Sequence, residues 1–163
     1  MKIFVSIALC FFTYYSHGQE SLPELLKHYN TKNIPYITVQ ELAMPKTKVY
    51  ILDAREKEEY HTSHLKNAIF VGYNHFELDS VLIKIPNKNS EIVVYCSIGI
   101  RSEIIASKLK KAGYSNVFNL YGGIFEWKNN GFTVYNLENI ETENIHAYSK
   151  DWSIWLKKGK KVF

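Results

Sequence analysis

One segment constrains this chain more than any other. Glu91-Ile92-Val93-Val94-Tyr95 is a continuous, β-branched run that passes at Cys96 into a short loop. A helical pattern follows at once over Ser102–Ala112, with Ile104, Ile105 and Leu109 on one side and Gly113 as its stop. A strand apolar at successive positions needs cover on both faces, which is the condition inside a parallel sheet. The neighbouring segments repeat the pattern. Tyr36–Val39, Val49–Leu52, Ala68–Val71 and Val117–Leu120 read as short strands. Leu22 to Tyr29, Val39–Ala43, Arg55–His61, Phe76–Ile85 and Gly122-Gly123 through Trp127 read as helices between them. Ser21 is placed to cap the first of these. This alternation predicts an α/β domain with a central, mostly parallel five-stranded sheet and helices on both faces. In such sheets ligands sit at the carboxyl ends of the strands, where Cys96 falls.

Length and composition fit one domain. The chain has 163 residues, 46% of them hydrophobic and 22% charged, which is the balance of a folded chain rather than a disordered one. The net charge is only +4, with basic residues interleaved among acidic ones. That describes a solvated surface and predicts no nucleic-acid partner.

Residues 1–18, MKIFVSIALCFFTYYSHG, stand apart. Lys2 is the only charge, Ile3–Phe12 is apolar apart from Ser6, and small residues Ser16 and Gly18 precede Gln19. A positive start, a short apolar run and a small-residue cleavage site describe a secretory signal. The chain is therefore expected to be exported, to a periplasmic or extracellular location. Cys10 lies inside the apolar run, with Leu9 directly before it, which argues against lipidation. Its removal with the signal leaves Cys96 as the lone thiol, and a lone thiol in an exported chain is a candidate reactive group. The expected organisation is signal 1–18, helical extension 19–35, catalytic domain 36–134 and a tail 135–163.

The loop Cys96-Ser97-Ile98-Gly99-Ile100-Arg101-Ser102 carries the chemistry. A cysteine at a helix N-terminus meets unpaired backbone N–H groups and the positive end of the helix dipole, and both favour thiolate. Gly99 lets the loop curl with positive φ, and the N–H groups of such a curl form an anion-binding nest. Arg101 adds a planar cation suited to sulfonate, sulfate or phosphate. Cys96 is thus the candidate nucleophile. Asp53 and Arg55 follow a strand directly and are candidates either for the pocket or for a structural charge pair. His64 reads as part of its turn and Trp127 as core.

Three pieces, in order, resemble the single-domain rhodanese family. They are Leu52-Asp53-Ala54-Arg55 with Glu59-Tyr60 and Ser63-His64-Leu65-Lys66-Asn67-Ala68, then the Cys96–Arg101 loop, then Leu120-Tyr121-Gly122-Gly123-Ile124-Phe125-Glu126-Trp127 with Gly131. The resemblance spans Tyr36 to about Val134. Ser63 and Asn67 stand where the family usually has glycine, and Thr133 where it usually has proline. The resemblance implies sulfur transfer. Cys96 would take a sulfane sulfur from thiosulfate or a similar donor as a persulfide and pass it to cyanide or a thiol. The amides of Ser97, Ile98, Gly99, Ile100 and Ser102 would hold the charged persulfide, and Arg101 would orient the donor anion. It also makes Asp53 and Arg55 mainly a structural pair. No metal or organic cofactor is implied, and no cysteine–histidine cluster has zinc spacing. Related phosphatases place one more residue between cysteine and arginine, so the shorter loop here favours sulfur transfer over phosphatase or arsenate reductase chemistry. A non-catalytic persulfide carrier or redox sensor remains the second reading.

The tail carries Tyr148, Trp152, Ile154, Trp155 and Leu156 before Lys157-Lys158-Gly159-Lys160-Lys161. This spacing predicts an amphipathic helix docked on the domain with a solvated basic end. Membrane-surface contact through that tryptophan- and lysine-rich stretch is the alternative.

Overall fold

The computed structural model describes residues 21–31, 33–45 and 48–163. The expected export signal, residues 1–18, lies outside them. In chain order the elements are α1 (Leu22–Tyr29), β1 (Tyr36–Ile37), α2 (Val39–Ala43), β2 (Tyr50–Asp53), α3 (Lys57–Thr62), β3 (Ile69–Phe70), α4 (Leu78–Lys84), β4 (Glu91–Tyr95), α5 (Ile100–Lys111), β5 (Asn116–Leu120) and α6 (Gly123–Asn129). Four short strands follow, β6 (Val134–Tyr135), β7 (Glu141–Thr142), β8 (Asn144–His146) and β9 (Lys160–Val162), with a 3-10 turn at Trp152–Trp155.

The first five strands form one parallel sheet in the order β1-β5-β4-β2-β3. Its centre is β4, and the strand's alternation explains the two layers around it. Ile92 and Val94 point to the side covered by Val81 and Ile85 near α4 and by Ile105, Ala106 and Leu109 of α5. Val93 and Tyr95 point to the other, against Val39 and Leu42 of α2 and Ile124 and Phe125 of α6. Helices therefore lie on both faces, as the alternation in the sequence requires.

The strand end that presents Cys96 is anchored by a buried charge. Asp53 and Arg55 are both fully buried and pair at 2.6 Å. Burial opposes the Arg55 charge, but the Asp53 carboxylate beside it overrides that cost and holds the guanidinium protonated. The Tyr95 hydroxyl donates to Asp53 Oδ2 and accepts from the Leu65 N–H at 3.2 Å. Arg55 Nη2 also donates to the Ser63 carbonyl at 2.6 Å. One carboxylate thus fastens β2, β4 and the turn after α3.

The departures from the family pattern are accommodated in that turn and at the end of α6. Asn67 has φ +60, a left-handed conformation that asparagine tolerates better than most residues. Ser63 is extended, with φ −171, so glycine is not required there. The Thr133 carbonyl accepts the Trp127 indole N–H at 2.9 Å. His64 stacks on Tyr60 with ring centroids 4.3 Å apart, and its Nδ1 lies 3.2 Å from the Tyr60 carbonyl. Burial pushes its imidazole below the usual histidine range.

The tail does not form the expected amphipathic helix. Only one 3-10 turn forms, and the chain on either side of it is extended, β8 pairing in parallel with β9. The cause lies at both ends of the turn. Tyr148 adopts φ +64, which breaks any helix running into it, and Ser149 Oγ accepts the Trp152 N–H at 3.3 Å. At the far end Asn129 holds the chain out of helix. Its Nδ2 donates to the Trp155 carbonyl at 2.9 Å, while its Oδ1 accepts from Lys157 N at 2.7 Å and Lys158 N at 3.2 Å. Ile145 and Leu156 join the same buried cluster as Val93 and Tyr95, so the tail is part of the core.

Removing the Asp53 carboxylate leaves a buried guanidinium unpaired and a buried hydroxyl without its acceptor. Asp53→Ala is expected to destabilise the fold by ~3–5 kcal/mol, measured by urea unfolding. A loss below ~1 kcal/mol would show that the buried pair does not anchor the sheet.

Candidate active site

The loop after β4 is shaped by where its carbonyls go. The Cys96 carbonyl accepts from Ile124 N at 2.9 Å and the Ser97 carbonyl from Phe125 N at 3.1 Å, both in the first turn of α6. The Gly99 carbonyl accepts from Asn119 Nδ2 at 2.8 Å and Asn30 Nδ2 at 2.9 Å. With three carbonyls held from outside, the loop turns an N–H toward the sulfur. Gly99 N–H donates to Cys96 Sγ at 3.1 Å.

Two glycines make this approach possible. Gly99 sits at φ +107 and immediately precedes α5, so the positive end of that helix falls at the loop. Gly123 sits at φ +56, where a Cβ would stand 2.3 Å from the Cys96 carbonyl oxygen. A side chain there would drive α6 off the loop. The helix α5 begins at Ile100, two residues earlier than its apolar pattern predicts, because the Gly99 conformation lets it start at once.

Cys96 is buried, 1% exposed. The Ser102 hydroxyl lies 3.5 Å from Sγ and 2.7 Å from Asn119 Oδ1. Its single proton serves one of these two acceptors at a time. Beside the sulfur is a cavity of about 190 Å³ lined by Cys96, Ser97, Ile98, Ile100, Arg101, Tyr148 and Trp152. Gly99 and Ser102 touch the sulfur from the side of α5, and Asp53 and Arg55 lie in the core, away from the cavity.

Arg101 is placed differently from its expected role. Its fork is closed on Glu59, with Nη1 on Oε2 and Nη2 on Oε1, each at 2.7 Å, and Nη2 reaches Ser97 Oγ at 3.0 Å. Three of its five N–H groups are thereby used. Burial opposes the Arg101 charge, but the Glu59 hydrogen bonds keep the guanidinium protonated. Burial likewise works against the Glu59 carboxylate, yet the Arg101 hydrogen bonds and the charges of Arg101 and Arg55 hold it below the usual carboxylate range. Ser97 Oγ donates to Glu59 Oε1 at 3.0 Å, so the residue after Cys96 is fixed by the same carboxylate.

Glu59, Asn119, Asn30, Tyr148 and Trp152 join the site without a local mark in the sequence. Glu59 stands in a quoted motif, but nothing local links it to a loop far along the chain. Tyr148 and Trp152 have, in the sequence, the spacing of one face of a helix.

The matches to known proteins are consistent with this geometry. Residues 38–130 match the family model of the rhodanese-like domain. A tRNA uridine(34) hydroxylase of Aster yellows witches'-broom phytoplasma is 36% identical over 56% of this chain and 32% of its own length. A putative sulfur carrier protein YrkF of Bacillus subtilis is 29% identical over 68% of this chain and 65% of its own. This chain therefore spans less than two thirds of those relatives. A thiosulfate sulfurtransferase GlpE of Coxiella burnetii is 30% identical over 60% of this chain and 87% of its own. Among solved structures, thiosulfate sulfurtransferase from Pseudomonas aeruginosa shares the fold, with a TM-score of 0.59 at 23% identity, covering 82% of this chain and 24% of that one. The matched residues fill more than half of the chain and include the whole of the Cys96 loop, and the chain belongs to the rhodanese-like domain family.

Proposed function

We propose that this chain is a sulfurtransferase that moves a sulfane sulfur, from thiosulfate or a similar donor, through a persulfide on Cys96 to a thiophilic acceptor. The observation that carries the reading is the Gly99 N–H aimed at Cys96 Sγ at the start of α5. A preorganised donor and a helix N-terminus stabilise negative charge first on the attacking sulfur and then on the persulfide.

The steps follow covalent, two-stage catalysis. The Cys96 thiolate attacks the outer sulfur of thiosulfate. A new S–S bond forms, the donor S–S bond breaks, and sulfite leaves with the electron pair. The negative charge that remains rests on the terminal sulfur of Cys96. Cyanide or a thiolate then takes that sulfur, and the electron pair of the broken S–S bond returns to Cys96 Sγ. Glu59 acts as a positioning residue, since it holds Arg101 and Ser97 in place rather than touching the reacting atoms.

A persulfide carrier without rapid turnover is the second reading, favoured by the match to the putative sulfur carrier protein. The two readings share the loading step and differ in rate. Export is part of the proposal, on the composition of residues 1–18.

Intact mass measurement after thiosulfate treatment is expected to show one added sulfur atom on a chain beginning at Gln19. Cyanide or a thiol should remove it, and Cys96→Ser should not acquire it. A reduced, folded sample that gains no sulfur would overturn thiosulfate as donor, and a retained N-terminal segment would overturn export.

The Glu59 carboxyl is lower in the folded state than unfolded. Its contribution to stability is therefore present above its unfolded pKa, roughly 4.3, and is lost as pH falls through the folded value. Urea unfolding between neutral pH and about pH 3 should show that acid loss shrink in Glu59→Gln. An unchanged acid arm would rule out the Glu59–Arg101 clamp as its source.

A further inference from the structure

The cavity beside Cys96 has walls of two origins. Ile98, Ile100 and Arg101 come from the loop and the start of α5, whereas Tyr148 and Trp152 come from the tail. The family match ends at residue 130, so the aromatic wall is supplied by this chain's own continuation. That wall is held in place. Tyr148 N–H donates to His146 Nδ1 at 3.1 Å, Trp152 N–H is capped by Ser149, and the two rings meet edge to face at 6.2 Å.

The chemistry of the walls suits some acceptors better than others. Among the described residues, the one cation lining the cavity is Arg101, which is balanced by Glu59 and has its guanidinium 4.7 Å from the Tyr148 ring centroid. For an acceptor, a charged body beyond the sulfur gains little, because the Arg101 charge is already matched, whereas a donor anion would meet the Gly99 N–H at its transferred sulfur. An apolar body would gain by burial against Ile98, Ile100, Tyr148 and Trp152. A cavity of about 190 Å³ is ring-sized, since an apolar cavity of about 150 Å³ takes benzene.

We propose that Tyr148 and Trp152 form an acceptor subsite that selects a thiol with an apolar, ring-sized body. The proposal rests on Cys96 carrying a persulfide. The acceptor thiolate attacks the outer sulfur of that persulfide and forms a new S–S bond with it. The bond from Cys96 Sγ breaks, and its electron pair returns to Sγ as thiolate. The acceptor leaves as its own persulfide, so sulfane sulfur changes hands with no external oxidant or reductant.

The test uses the full chain, loaded with sulfur at Cys96 and verified by mass. Discharge is timed against benzyl mercaptan and 2-mercaptoethanol, two thiols of similar acidity that differ in the body they carry. The loaded protein is expected to react with benzyl mercaptan about tenfold faster or more. Trp152→Ala and Tyr148→Asn, the latter tolerant of the left-handed backbone, should each bring the ratio of the two rates toward one. Ile83→Ser, on the exposed surface away from the cavity, should keep the ratio of the parent. Circular dichroism identifies a variant that has lost its fold, and the remaining variant then decides. A parent ratio near one, or variants that keep the preference, would overturn the subsite while leaving the Cys96 persulfide standing. Failure to load Cys96 from thiosulfate or any other sulfane donor would overturn the underlying reading, and the subsite with it.

Discussion

The buried carboxylate of Asp53 is the interaction on which the rest of this molecule depends. It lies in the core, where an unpaired charge would be prohibitive, and it is satisfied by Arg55 and by the Tyr95 hydroxyl. Tyr95 is the last residue of the central strand and Cys96 is the next. The position of the nucleophile is therefore set by a residue whose ring and hydroxyl are both fixed. The Arg55 guanidinium lies 5.5 Å from the Tyr95 ring centroid, which adds a second contact between the ion pair and the same side chain. Charge pairing in the interior here serves the geometry of a sulfur atom rather than its chemistry.

A second carboxylate, Glu59, does the corresponding work one layer outward. It occupies the Arg101 fork and holds Ser97, so the loop is fixed directly after Cys96 and at the first turn of α5. The backbone contact seen on the sulfur is the Gly99 N–H, and the nearby cation is balanced. Such a site responds to negative charge on sulfur itself more than to the total charge of an incoming molecule, because a matched ion pair has little field left at longer range.

The parts legible in the sequence were those whose causes are local. The run Glu91–Tyr95 shows its burial in its own composition, and Gly99 marks the turn that Cys96 needs. The short helix Val39–Ala43 is closed by Pro45 just beyond it. What was not legible depends on partners far along the chain. Glu59 finds Arg101 only because β2 and β4 are neighbours in the sheet. The tail misled because Trp152, Trp155 and Leu156 have helical spacing over one turn, whereas Asn129 captures the chain immediately afterward. The pairing of β8 with β9 joins segments too short to announce themselves. The extension before the sheet also does more than its composition suggests, since Asn30 holds the Gly99 carbonyl and Leu26 is buried.

The origin of the aromatic wall has a consequence for separability. The bonds that aim Gly99 at the sulfur lie between residues 30 and 125, whereas Tyr148 and Trp152 come from the tail. The hold on the sulfur and the shape of the space in front of it are written in different stretches of sequence. A change in the tail can therefore redraw what fits beside Cys96 without touching the bonds that fix it.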